Sequence, residues 1–170
     1  DKQEQQVALT AFKNYMDNAL SIAPGFFGTF KADFSGYHHR GPYHSAYYPH
    51  ALYAGSLIAY LLHDTPYALS ETIIYNLKRG LLTFRFFSAG INITDGTVGR
   101  FPNGQQILET LLPAFAYVAL SKKEPDKELT AAFKRIIETE EYQQAITKYI
   151  RNVNSNLAYT STIGEIELLT

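Results

Sequence analysis

Cysteine and tryptophan are absent, and methionine occurs once. Without thiols, neither a disulfide framework nor thiolate metal ligation is available, and the chain suits a reducing or an oxidising compartment equally. No apolar run is long enough to cross a bilayer. There is no basic tract, and 15 Lys and Arg against 16 Asp and Glu leave a formal net charge of -1. That balance speaks against nucleic acid as a partner, and a polyanionic ligand would depend on positive charge gathered locally. The chain starts at Asp1, with no initiator Met and no signal-type apolar segment, as a processed protein or an excised fragment would.

What is present is 170 residues, enough for one domain with a real core. Aromatics are plentiful, with 13 Tyr and 11 Phe. A tyrosine offers a sugar both a ring face and a hydroxyl, although an aromatic-rich core accounts for the same count. Apolar residues recur at helical spacing over most of the chain. Glu4 to Ile22 reads as an amphipathic helix, with Val7, Ala11, Tyr15 and Ala19 on one stripe and Leu9, Phe12 and Met16 on another. Pro24-Gly25 ends it. A second helix is expected from Ala46 to His63 with Pro49 in its first turn, where a missing N–H costs little. A third follows Ser70, a good N-cap, through Ile74, Leu77, Leu81 and Phe84 to about Phe87. Further helices are expected over Gln105 to Leu120, kinked at Pro113, over Asp126 to Thr139, and over Glu140 to Asn152.

The expected fold class is therefore all-α, built of antiparallel helical hairpins. Two long loops, Gly25–Pro42 and Ser88–Gly104, interrupt it, and long structureless loops in compact domains are usually functional. The tail from Tyr159 to Thr170 reads as a strand or an extended linker.

Four of the five histidines fall between His38 and His50. Three explanations compete. Imidazoles and aromatics could simply pack beneath a loop. They could bind a metal, although adjacent His38 and His39 tend to point apart and no His-Glu-x-x-His spacing exists. They could carry acid–base chemistry with a tyrosine, helped by Arg100, whose planar fork suits a carboxylate.

The strings "FKADFSGYHHRGPY" and "AYYPHALY", followed one helix pair later by "GRFP", resemble the catalytic region of the family-eight polysaccharide lyases, above all the chondroitin sulfate ABC lyases. "HDTPYALSETIIYNLKRGLL" and "DKELTAAFKRI" are similar in character to that family's intervening and following helices. The resemblance covers Ala23 to Ile136. It implies an incomplete α/α toroid, followed in the family by a large antiparallel β region. On that basis residues 1–158 are a partial toroid catalytic domain, and residues 159–170 are an extended tail leading towards a missing β-sandwich region.

The resemblance further implies a lyase that cuts uronic-acid-containing glycosaminoglycans (chondroitin and dermatan sulfate, and hyaluronan by extension) by β-elimination. It implies a secreted or periplasmic location; no cofactor is expected, and no residue is assigned to a metal. The partners would be the acidic polysaccharide and the rest of the parent polypeptide, upstream helices and a downstream β domain, with no nucleic acid and no membrane. His39 falls on the catalytic histidine, Tyr47 on the catalytic tyrosine and Arg100 on the arginine of the Gly-Arg-x-Pro motif. His38, Arg40 and Tyr43 are expected to contact substrate. Spacing leaves Tyr43 and Tyr48 as competitors for the role of Tyr47. The family also uses an upstream asparagine and a glutamate in the β region. The chain is expected to begin after the first and stop before the second, so the isolated fragment is expected to be inactive.

The chemistry explains the residue types. β-Elimination takes a proton from the carbon next to the uronate carboxylate and expels the glycosidic oxygen. The developing dianion needs donated protons or cations. A tyrosine acting as base needs cations around it, and Arg40, Arg100 and protonated histidine are the candidates. A non-catalytic carbohydrate-binding helical module would need the aromatics but not the order His, Tyr, Arg. A glycoside hydrolase on an α/α toroid would need paired carboxylates, and the loops offer only Asp33 and Asp95.

Overall fold

The computed structural model describes residues 1–100, 107–144 and 147. Among them are five α-helices: α1 (Lys2–Ala19), α2 (Tyr47–Leu62), α3 (Glu71–Phe86), α4 (Ile107–Leu120) and α5 (Lys127–Ile137). The chain turns helical again from Glu140. The expected boundaries Gln105 and Asn152, the division at residue 158 and the tail from Tyr159 lie outside the described residues. The rest of the sequence-based helix plan holds to within a few residues at each end.

Local signals account for several of these limits. Asp126 caps α5, its Oδ1 accepting the N–H groups of Glu128 and Leu129 at 3.1 Å. The same carboxylate ties α5 to α3, because Lys78 lies 2.7 Å from Asp126 and 2.5 Å from Glu128. Ser70 occupies the N-cap of α3 as expected, but its hydroxyl does not cap the helix. Its backbone N–H instead donates to Asp17 Oδ1 of α1 at 3.0 Å, which anchors α1 to the start of α3. Pro113 lies inside α4, where it removes one backbone donor from the helix ladder.

The core lies between α2, α3, α4 and α5, with α4 packed against each of the others. From α2 it takes Tyr48, Leu52, Ser56 and Ala59, and from α3 it takes Ile74, Leu77, Leu81 and Phe84. Leu111, Leu112, Phe115, Leu129 and Phe133 close it from α4 and α5. Helix α1 behaves differently. The periodic apolar residues are there and the helix forms, yet none of its residues is buried, and Val7 and Tyr15 are 65% and 69% exposed.

Both long loops are folded rather than structureless. In the first, Phe30 is fully buried and bridges Ile22 and Gly36, and the chain then makes a hairpin of β1 (Tyr37–His38) and β2 (Gly41–Pro42). In the second, β3 (Ser88–Ala89) and β4 (Asn92–Ile93) pair across Gly90-Ile91, and a 3-10 turn at Asp95–Thr97 follows. Ile91, Ile93 and Val98 bury their side chains in the helical core, which holds residues 91–98 of the second loop.

Phe84 joins core and loops: it is fully buried, with its ring 5.7 Å from His44 and 6.2 Å from Tyr48. Phe84→Ala is expected to cost about 3–5 kcal/mol of unfolding free energy, as large core aromatics do. Denaturant titration of the variant beside the parent measures it, and a loss below about 1 kcal/mol would mean the core is not packed as described.

Candidate active site

The two loops meet at the N-terminal end of α2. The His44 backbone N–H donates to Thr97 O at 2.8 Å, and the Ser45 hydroxyl donates to Val98 O at 2.5 Å across 53 residues of sequence. Between them lies a concavity of about 310 Å³ lined by His38, His39, Gly41, Pro42, Tyr43, Gly99 and Arg100. The structure thus brings His38, His39, Tyr43 and Arg100 into one cleft.

Tyr47 stands beside the cleft rather than in its lining. Its ring stacks on His38 with centroids 3.8 Å apart and lies 5.2 Å from Tyr43 and 5.8 Å from His39. Burial separates the three candidate phenols. Tyr48 is fully buried with its hydroxyl donating to Phe34 O at 2.6 Å, and burial pushes that phenol far above its ordinary value. Tyr43 is 3% exposed and contributes a ring to the cleft wall, whereas Tyr47, beside the cleft, is 39% exposed. Arg40 is exposed and is not among the residues lining the cleft.

The backbone that presents these groups is strained. His39 and Arg40 are the two residues connecting β1 to β2, and both have positive φ, 50° and 67°. Two-residue hairpin turns need that geometry and normally obtain it from Asn-Gly. Side chains with a Cβ resist it at a cost on the order of 1–2 kcal/mol each, and such costs collect where a side chain must be aimed. Arg100 is delivered by a glycine that cannot be replaced cheaply. Gly99 has φ 65°, and a Cβ there would lie 2.6 Å from the Tyr43 ring. The Gly-Arg pair is therefore one unit, in which the glycine makes room for Tyr43 and turns the arginine into the cleft.

The electrostatics follow from crowding. Burial lowers the pKa of His38, and the charges of His39 and Arg100 lower it further, so His38 favours its neutral form. His44 is 1% exposed, and burial drives its pKa down to about 4, with Asp33 pulling weakly the other way. Its Nε2 accepts the Gly36 N–H at 3.2 Å, and its ring stacks on Phe87 at 5.2 Å. The sequence reading counted His44 in the histidine cluster and gave it no role, because its partners Gly36 and Thr97 carry no sequence signal. Among the described residues no group of three His, Asp or Glu could hold a metal ion.

Fold and site together define a helical protein whose cleft gathers imidazole, phenol and guanidinium groups. The chain belongs to the lyase catalytic family, whose model, described as "Lyase, catalytic", matches residues 1–143. It is 31% identical over 143 residues to the chondroitin sulfate ABC exolyase of Bacteroides thetaiotaomicron, covering 82% of this chain and 14% of that protein. It is 28% identical to the chondroitin sulfate ABC endolyase of Proteus vulgaris, covering 78% of this chain and 13% of that protein. It is 29% identical to the chondroitin sulfate ABC exolyase of the same organism, covering 80% and 14%. The chain thus spans about one-seventh of the length of the curated relatives it matches.

The buried imidazole makes stability depend on pH. The folded pKa of His44, about 4, lies below the ordinary histidine value of 6.5, so between these limits the unfolded chain binds more protons than the folded one. Stability from this group is complete above pH 6.5 and is lost as pH falls towards 4, by about 3 kcal/mol in all. Urea unfolding from about pH 7 to about pH 4 is expected to show that decline, and His44→Gln should flatten it. An unchanged profile in the variant would assign the acid sensitivity elsewhere.

Proposed function

We propose that this chain forms the acid–base part of a lyase that cleaves uronic-acid-containing glycosaminoglycans by β-elimination, with chondroitin and dermatan sulfate as principal substrates and hyaluronan as a further one. The observation that carries the reading is the meeting of His38, His39, Tyr43 and Arg100 in a single cleft, with the Tyr47 ring stacked on His38 beside it. The names of the relatives, all chondroitin sulfate ABC lyases, support the substrate class. On this reading the helices are a sector of an incomplete α/α toroid, completed by upstream helices and a downstream β domain of a longer polypeptide. A polysaccharide too large to enter a cell calls for an enzyme in the periplasm or outside the cell.

Each group has its own part in the chemistry. Arg100 pairs with the uronate carboxylate, and with the histidine beside it stabilises the charge that develops when the neighbouring C–H is broken. Tyr47, exposed beside the cleft and stacked on His38, takes that proton and returns one to the departing glycosidic oxygen when both lie on one sugar face. For the epimer whose proton lies on the other face, His39 is the base. Tyr43 and His38 form the wall against which the sugar ring rests, and Arg40 meets a carboxylate or sulfate farther along the chain.

Hydrolysis is the weaker reading. The Asp33 carboxylate accepts bonds from the Ser35 hydroxyl at 2.7 Å and the Ser35 N–H at 3.0 Å. The Ser35 bond is the largest influence that holds its pKa below the ordinary carboxylate value, so it is poorly suited to donate a proton as a general acid.

In the full-length protein, Tyr47→Phe is expected to reduce formation of unsaturated product from chondroitin sulfate by roughly 10²–10⁴-fold while leaving the circular dichroism spectrum unchanged. Full retained activity removes Tyr47 from the mechanism and turns attention to Tyr43. Arg100→Ala is expected to lower kcat by about 10²–10³-fold, with a smaller effect on KM, because its charge is needed most in the transition state. An unchanged kcat would make it a surface residue.

A further inference from the structure

His44 lies in the interior, outside the acid–base chemistry of the cleft. It sits in a slot made by Phe87, Phe84 and Tyr48, with ring centroids at 5.2, 5.7 and 5.3 Å. Packing alone would favour phenylalanine there, since an imidazole brings two polar atoms into an apolar slot. Only one of those atoms is used. Nε2 accepts the N–H of Gly36, and an accepting ring nitrogen carries no proton, so in the neutral ring the proton lies on Nδ1. Nδ1 is buried, with no hydrogen-bond partner among the described residues. The site thus tolerates an orphaned donor in order to keep one acceptor on Gly36.

Gly36 is the point where that acceptor matters. It is buried flat against Tyr48, where an added Cβ would lie 1.8 Å from the ring, and it immediately precedes β1. Its carbonyl accepts the Tyr43 N–H at 2.9 Å, so both arms of the hairpin that carries His38, His39 and Arg40 are referred to Gly36. The other end of the same histidine residue holds the second loop, through its backbone N–H and Thr97 O. Arg100 follows three residues later.

We propose that His44 is a positioning residue of the site named above: its imidazole, acting as a hydrogen-bond acceptor with the proton on Nδ1, fixes the His38–Arg40 hairpin against the loop that carries Arg100. The inference rests on the lyase reading for its kinetic consequence, but not for its geometry. A shift of about 1 Å between hairpin and Arg100 is enough to lower turnover by about 10²-fold.

Two substitutions in the full-length protein separate positioning from packing. His44→Phe keeps the ring in its slot and deletes the acceptor. His44→Gln gives up the ring but brings an amide oxygen close to where Nε2 lies. His44→Phe is expected to lose roughly 10–100-fold in kcat on chondroitin sulfate with KM changed far less, and His44→Gln to recover most of it despite poorer packing. If kcat in the two variants instead follows thermal stability, with Phe the better enzyme, His44 is a packing residue and the inference falls. A readout without activity decides the same point: ¹⁵N spectra of the histidine rings at about neutral pH should show the His44 Nε2 unprotonated and coupled to the Gly36 amide. A proton on that nitrogen overturns the proposal. A parent protein that forms no unsaturated product would remove the lyase reading, and the spectroscopic result would then decide the role of His44 by itself.

Discussion

Everything that faces the cleft hangs on a short junction at residues 43–45, where the end of one loop is bonded to the middle of another. Three contacts make it: the His44 N–H on Thr97 O, the Ser45 hydroxyl on Val98 O, and the Tyr43 ring lying where Gly99 lacks a side chain. Helical packing does not supply this precision. It fixes α2 and α4 as bodies, while the loops between helices would otherwise be free to take many paths. Buried hydrogen bonds to backbone carbonyls exclude most of those paths, because each alternative leaves a polar group without a partner away from water. The aromatic slot around His44 then makes the junction part of the core, so that loop geometry is as well defended as the helices.

That rigidity explains how strain can persist at the hairpin tip. His39 and Arg40 both hold positive φ, and Phe34 upstream does too, at 61°. A free two-residue turn with these side chains would relax. Here Gly36 pins the start of β1, and the Tyr43 N–H bonded to Gly36 O pins the end of β2. The strain is confined between two fixed points, and its effect is to aim an imidazole into the cleft and hold a guanidinium beside it. A more comfortable turn would be more stable and would point these groups elsewhere.

The helices were legible because burial has a period. Ile74, Leu77, Leu81 and Phe84 write α3 into the sequence, and Asp126 marks the start of α5. The histidine, tyrosine and arginine were singled out by their resemblance to the lyase motifs, and among them His39 and Arg100 line the cleft while Tyr47 lies beside it. What could not be read was the join. Ser45 and Val98 are ordinary residues in ordinary contexts, and no local rule pairs them. Nor did the sequence tell one histidine from the next: His44 and His39 look alike in the string, yet one is sealed in the core and the other lies at a strained turn lining the cleft. The cap at Ser70 misled for a related reason. The residue is in the right place, but its N–H is claimed by Asp17 of α1 while its hydroxyl is left out of the cap. Helix α1 is the reverse case, since its periodicity was read correctly and its apolar residues nonetheless remain exposed or only half-buried.

A net charge of -1 offers a polyanion no global attraction, so the local distribution of charge is what matters at the cleft. Burial is the main reason that His38 disfavours a proton, and His39 and Arg100, which share the cleft, add to it. Asp33, the acidic residue nearest the hairpin in sequence, has its carboxylate turned into bonds with Ser35. Eight of the 15 Lys and Arg lie on α1, α3 and α5, whereas Arg40 at the hairpin tip and Arg100 on the Gly-Arg turn supply positive charge beside the cleft. The same arrangement constrains the chemistry. With His38 biased towards neutrality and His44 held as an acceptor, the fixed charge of the cleft is the Arg100 guanidinium, set apart from the imidazoles and phenols able to exchange protons. An elimination needs that division: a fixed charge for the carboxylate and a separate group free to gain and lose one proton.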